Sequence, residues 1–319
     1  MALWILWLFF SAAAAASYGK HLYATHKGLL MQNPAPWYLR TTADSKSFLS
    51  SQQASPPLED FVHVFVLDDG LQESHPELKG KIHGKIVVCE DSKTMAARRG
   101  EHGTQVASLI GGATLGISKS VSFHDVKVCC YNEQHREEKV SEDRNCNPIN
   151  LISGLVAVMK AISDLRIRKE MKASKIPIIS ISLCSPEFLP SDTVENMVSN
   201  LISYGALVVV SAGNGASNAC EFIPARMKNV VTVGASSADG THASFSNFGE
   251  CVDLWAPGVD ILVADTFSPL GYSIQSGTSY AAPLVSGLAA NIISLPGVHT
   301  VDSITKRLLE EPKIWRPSR

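Results

Sequence analysis

The chain has 319 residues, 45% of them hydrophobic and 18% charged, with a formal net charge of −2. That balance is globular rather than disordered, and the length allows one large α/β domain or two smaller ones. A charge so near zero excludes a global basic footprint for nucleic acid, and no repeat or heptad pattern runs through the sequence.

The chain opens on an apolar run, Leu3 to Phe10, followed by Ser11 and the alanines Ala12 to Ala16. This pattern predicts a signal peptide, residues 1–16, cut after Ala16. The run is shorter than the roughly 20 residues of a membrane span, so a membrane enters only if this segment stays uncleaved. Residues 17–60 are rich in Pro, Ser and Gln and read as irregular. Strand–helix alternation then begins. Phe61–Leu67, Val121–Cys129, Ile176–Leu183, Ala206–Ser211 and Val230–Val233 are apolar and short, as buried strands are. Helices are expected over Ile149–Ser163, Ser191–Tyr204 (capped by Ser191 or Asp192) and Ser279–Ile293. Alternation of this kind predicts a single α/β domain with a mostly parallel sheet and helices on both faces.

Tyr131 to Asn147 is almost wholly polar and reads as a solvated loop. The basic residues Arg166, Arg168, Lys169, Lys172 and Lys175 lack interleaved aromatics and read as an exposed helix end, not a nucleic-acid patch. The seven cysteines suit a secretory route, and their odd number leaves at least one outside an intrachain disulfide. Cys146 is expected to close the polar loop with Cys129 or Cys130. No Asn-x-Ser/Thr sequon occurs.

Four segments at element ends carry the chemistry. Val66-Leu67-Asp68-Asp69-Gly70 places an acid where a strand stops. Glu101-His102-Gly103-Thr104 places a His at the start of a helix of small residues. Ser211-Ala212-Gly213-Asn214-Gly215 ends a valine-rich strand in an Asn turn. Ser276-Gly277-Thr278-Ser279-Tyr280 places a Ser in the first turn of a helix, where free N–H groups and the dipole favour developing negative charge. Singly these read as a turn cap, a packed His, an Asn-Gly turn and a Ser cap. Their joint order is Asp, His, Asn, Ser.

That constellation resembles the subtilase family, whose catalytic order is Asp, His, Ser. Ser244-Phe245-Ser246-Asn247-Phe248-Gly249 and Val252-Asp253-Leu254-Trp255-Ala256-Pro257-Gly258 strengthen the likeness. Asn33 to Leu39 looks like a mature N-terminus of the proteinase K branch, which puts a peptidase domain at 33–319 and a short pro-segment or linker at 17–32. The resemblance implies a secreted serine endopeptidase acting on protein or peptide substrates. Ser279 would be its nucleophile, His102 its general base, Asp68 the residue orienting that base, and Asn214 with the Ser279 N–H its oxyanion hole. Ser182 and Leu183 would pair with extended substrate, and Ser211, Ala212 and Gly213 would line the primary pocket. The resemblance also implies a Cys220–Cys251 disulfide. No cofactor is required by such chemistry, no metal ligand can be assigned, and structural calcium, present in many relatives, finds no contiguous ligand motif. We expect a monomer.

The sequence departs from the family pattern in several places. Asp69 stands where most members have Ser or Thr, a kexin-like feature shared with Ala282-Pro283-Leu284. It is expected to favour a basic residue just before the cleaved one. Cys184 replaces a usual Gly and reads as a groove-narrowing side chain, a thiol outside the disulfides, or a small buried apolar residue. Gln105 stands where a second His is common, and Tyr280 where Met is common. Residues 17–32 are too short for the folded inhibitory propeptide of relatives. Two other readings are a catalytically silent binding protein and an esterase-type α/β hydrolase. The esterase wants Gly-x-Ser-x-Gly and the order Ser, acid, His, which this chain lacks.

Overall fold

A computed structural model describes residues 36–39, 61–91, 100–131, 144–172, 175–186, 191–268, 271–295 and 300–310. The predicted signal peptide and pro-segment, and most of the polar stretch after Tyr131, lie outside the described residues.

Seven strands form one parallel sheet: β1 (Val62–Asp68), β2 (Ile82–Val87), β3 (Val121–Lys127), β4 (Ile178–Ile181), β5 (Leu207–Ser211), β6 (Val231–Ser236) and β7 (Leu254–Pro257). Their order is β2-β3-β1-β4-β5-β6-β7, and every neighbouring pair runs parallel. β1 is buried along its whole length, as a central strand covered on both faces must be. From β1 the chain passes to the edge strand β2 and returns to β3, which lies between β1 and β2. From β4 it winds outward on the other side of β1. The reversal lies between β1 and β4, and the crevice beyond the carboxyl ends of such strands is where α/β sheets place their ligands.

Alternation along the strands builds two cores. Val62, Val64 and Val66 join α1 (Glu101–Gly111), α4 (Thr278–Ile293) and α5 (Val301–Glu310) in one. Phe65 and Leu67 join α2 (Pro148–Ile167) and α3 (Ser191–Ser203) in the other. α1 and α4 pack closely: a Cβ on Gly287 would lie 2.7 Å from the Ile110 carbonyl oxygen. A hairpin, β8 (Ile261–Ala264) with β9 (Tyr272–Gln275), precedes α4. Tyr38 is fully buried against it and donates its hydroxyl to the Leu262 carbonyl at 3.0 Å.

The parallel sheet with helices on both faces is as the sequence predicts, with boundaries that shift. α2 has Ile149 in its first turn as expected, with Asn147 accepting from the Asn150 N–H and Pro148 at the first helical position, but it runs on past Ser163 to Ile167. α3 begins at Ser191 itself, so Asp192 lies in its first turn rather than at the cap. β2 was not anticipated, being a half-exposed edge strand interrupted by Gly84. α5 was missed because only Ile304 and Leu308 are buried along a polar helix.

The disulfides are Cys220–Cys251, as the resemblance implied, Cys129–Cys146, and an unforeseen Cys89–Cys130. Cys184 takes part in none of them.

Candidate active site

Asp68 ends β1, and His102 occupies the first turn of α1. The sheet brings them together: His102 Nδ1 lies 2.8 Å from Asp68 Oδ1 and 2.9 Å from Oδ2. Both side chains are buried. An ionised carboxylate only accepts, so Nδ1 carries the proton and Nε2 presents its lone pair. The Asp69 N–H adds a 2.8 Å bond to Asp68 Oδ1 and fixes the carboxylate plane.

The start of α1 has Gly100 as its cap residue, which offers no side chain. Asp69 fills that role from across the crevice. Its Oδ1 accepts from the Gly103 N–H at 2.8 Å and its Oδ2 from the His102 N–H at 3.1 Å. An anion at a helix N-terminus is favourable on both hydrogen-bond and dipole grounds. Tyr131 Oη donates to Asp69 Oδ2 at 2.9 Å. The buried Lys127 ammonium donates to the Asp69 carbonyl at 2.7 Å and pairs with Asp91 at 2.9 Å. Asp69 is 0% exposed. The expectation that it contacts a basic substrate residue is therefore corrected: its carboxylate is enclosed and holds the backbone that carries His102.

Ser279 lies in the first turn of α4. Pro283, four residues on, has no N–H to bond the Ser279 carbonyl. Ser182 Oγ donates to that carbonyl at 3.1 Å, and Ser279 Oγ in turn donates to the Ser182 carbonyl at 3.1 Å. Among the described residues no hydrogen bond joins Ser279 to His102. Catalytic contacts of this kind are commonly loose until substrate binds.

Asn214 follows β5 and is exposed to the crevice. Its Oδ1 accepts from the Thr278 N–H at 2.9 Å and the Thr278 hydroxyl at 2.8 Å. With the oxygen anchored, Nδ2 faces the Gly277 backbone, 3.3 Å from where a Cβ there would sit. The turn bearing Asn214 is held by Asn247, whose role was not legible in the sequence. Asn247 is fully buried. It accepts from the Gly215 and Ser217 N–H groups, each at 3.0 Å, and donates to the Ala212 carbonyl at 2.8 Å. Gly213 has φ 104°, and a Cβ there would meet Asn247 Nδ2 at 2.4 Å and Cys184 Sγ at 2.8 Å.

A pocket of ≈ 500 Å³ opens beside Ser279. Ser182, Leu183, Ser211 and Gly213 line it, as does Asn214. Ala212 does not line it, a correction to the expectation. Its N–H donates to the Val233 carbonyl and its own carbonyl is taken by Asn247, so it is committed to the carboxyl end of the sheet. Leu151, Val194 and Phe222 add apolar wall, and among the described residues no charged side chain lines the pocket. Cys184 is half-buried and lines it too, which places the thiol on the pocket wall. Among the described residues no group of three or more His, Cys, Asp or Glu is arranged to hold a metal ion.

The chain is similar in sequence and fold to known proteins. Residues 60–311 match the profile of the subtilase family. The chain is 32% identical over 283 residues to "Extracellular serine proteinase" of Thermus sp. (strain Rt41A), covering 89% of this chain and 63% of that protein. It is 32% identical over 245 residues to "Subtilisin-like protease 1" of Pseudogymnoascus destructans, covering 77% and 55% respectively. The chain thus spans between about half and two thirds of these relatives' lengths. A crystal structure of a cold adapted subtilisin-like serine proteinase superposes with TM-score 0.63 at 27% identity, over 85% of this chain and 89% of that one.

Proposed function

This chain belongs to the subtilase family, and from that premise we propose that it is a serine endopeptidase working through Ser279, His102 and Asp68. The observation that carries the reading is the buried Asp68 carboxylate bound to His102 Nδ1, with Ser279 at a helix start on the same crevice.

In the first step the Ser279 hydroxyl turns from the Ser182 carbonyl to His102 Nε2. The base takes its proton as Oγ attacks the peptide carbonyl. Asp68 stays ionised and stabilises the imidazolium. The oxyanion receives hydrogen bonds from Asn214 Nδ2 and the Ser279 N–H, both preorganised before charge develops. The imidazolium then protonates the leaving amine, and water activated by the same base releases the acyl group. Every step uses these side chains, one backbone N–H and water, so no cofactor is needed.

The substrate is an extended peptide running past Ser182 and Leu183, with an uncharged apolar side chain in the 500 Å³ pocket. Three disulfides suit a secreted protein, and one relative is named extracellular. The site is complete within one chain, which suits a monomer.

The test is hydrolysis of an internally quenched peptide with Leu or Phe at the cleaved position. Ser279→Ala is expected to lower kcat by about 10⁶, the scale of the equivalent loss in subtilisin. Equal turnover by Ser279→Ala and the parent chain would reject the reading. Absence of hydrolysis by the folded parent chain would favour a silent, peptide-binding subtilase.

A further inference from the structure

Gln105 and Tyr280 are both departures from the family pattern, far apart in sequence, and the structure joins them. Tyr280 Oη donates to Gln105 Oε1 at 2.8 Å. Gln105 is 3% exposed and Tyr280 7%. Gln105 lies one turn after His102 on α1, where side chains three apart share a face. Tyr280 directly follows Ser279 on α4. The Tyr280 ring also lies against the His102 imidazole, with centroids 5.7 Å apart and planes inclined at 57°.

We propose that Gln105 and Tyr280 form one positioning unit that sets the spacing between His102 and Ser279. The base and the nucleophile sit on different helices, and no hydrogen bond connects their side chains among the described residues. Asp68 and Asp69 hold His102 and Ser182 holds Ser279, each to its own strand end, so what ties α1 to α4 at this end adds the direct link between them. The phenol–amide bond ties the helices within one turn of both reacting groups, and the phenol ring buttresses the imidazole directly. Further along, the helices meet at Gly287 and Ile110, a contact that sets how near they pack but lies turns away from the site. Proton transfer needs its donor and acceptor within hydrogen-bond reach, and misplacement by about 1 Å can reduce turnover by about 100-fold. Each departure alone leaves a buried polar group to satisfy. Together they satisfy each other, so the pair acts as a unit.

This proposal rests on Ser279 and His102 being nucleophile and base. The test is a double-mutant cycle on the full chain with Tyr280→Phe, Gln105→Leu and both together. Tyr280→Phe keeps the ring against His102 and removes one oxygen. Each single variant is expected to lower kcat per titrated active site about tenfold with KM within about twofold, and to slow fluorophosphonate labelling of Ser279 in proportion. The double variant is expected to be no slower than the slower single one, because the bond between the two groups is already gone in either single variant. Single effects that multiply in the double variant, or unchanged kcat and labelling beside a lowered thermal midpoint, would overturn the proposal. Should Gln105→Leu fail to fold, Tyr280→Phe carries the test alone through its kcat and labelling rate. Ser279→Ala run alongside separates the two failures: full turnover there rejects the nucleophile assignment itself, whereas lost turnover there with unaltered Tyr280→Phe rejects only the positioning unit.

Discussion

Pro283 withholds an N–H from Ser279, and a serine 97 positions earlier in sequence supplies the donor instead. Ser182→Ala is expected to lower stability by about 1 kcal/mol, the net worth of one hydrogen bond. It should also lower kcat, since the backbone carrying the nucleophile loses its anchor. Chemical denaturation and peptide hydrolysis of the same preparation check both outcomes. Asn247 is a stronger case. It makes three hydrogen bonds from a fully buried position, so Asn247→Ala should destabilise by about 2–4 kcal/mol. An effect below about 1 kcal/mol in urea unfolding would contradict its role as the support of the Asn214 turn. Asn214→Leu removes two ground-state hydrogen bonds to Thr278 and should cost about 1–2 kcal/mol of stability, and through the loss of Nδ2 it should lower kcat by about 10²–10³ with little change in KM, the signature of a contact made only in the transition state. These roles follow from which atom of each side chain is already occupied, and residue type alone carries no such information.

Strands β1 and β3 place His63 and His124 side by side, Nδ1 to Nε2 at 2.8 Å. Burial, reinforced by His63 and His83, pushes the His124 imidazole down to about 3. Burial also lowers His63, with Lys175 and His83 reinforcing it and Glu170 opposing. His124 therefore stays neutral in the fold down to about 3, whereas the unfolded chain protonates near 6.5. The stability that depends on neutral His124 is thus present above pH 6.5 and lost as pH falls toward about 3. Asp125 on the same strand acts oppositely. Burial raises it to about 6, so its contribution is present below 3.8 and lost as pH rises through 6. His124→Phe should flatten the decline in stability below pH 6.5, measured by urea unfolding across that range, and an unaltered pH slope would count against this account. At the pocket wall, Cys129–Cys146 closes a loop of 17 residues ahead of α2. Replacing both cysteines by Ala should lower stability by about 3 kcal/mol on the chain-entropy account. Because Cys146 and Pro148 line the pocket, KM should rise more than kcat falls. Kinetics identical to the parent would show that this wall does not bear on substrate.

Across the whole molecule, the sequence made the inner strands, the Asp-His-Asn-Ser order and the Ser helix legible, because each is a short apolar or small-residue run broken by a polar group. Elements at the margin were not legible. β2 is half-exposed and α5 is short and mostly polar, so neither carries a sustained apolar run. The meaning of Asp69 was misread for a different reason. A carboxylate beside a catalytic Asp looks the same in sequence whether it faces substrate or caps α1, and only the positions of the Gly103 and His102 N–H groups decide. Gln105 and Tyr280 likewise appeared as separate departures until the fold set them 2.8 Å apart. What unites these scales is one crevice at the β1–β4 reversal, fed by residues from β1, α1, the turn after β5 and the start of α4. The most direct measurement of that account is mass spectrometry of the folded chain after reaction with a fluorophosphonate. The account predicts a single phosphonyl adduct on the peptide containing Ser279, abolished by His102→Ala; an adduct on another residue, or none on folded protein, would contradict it.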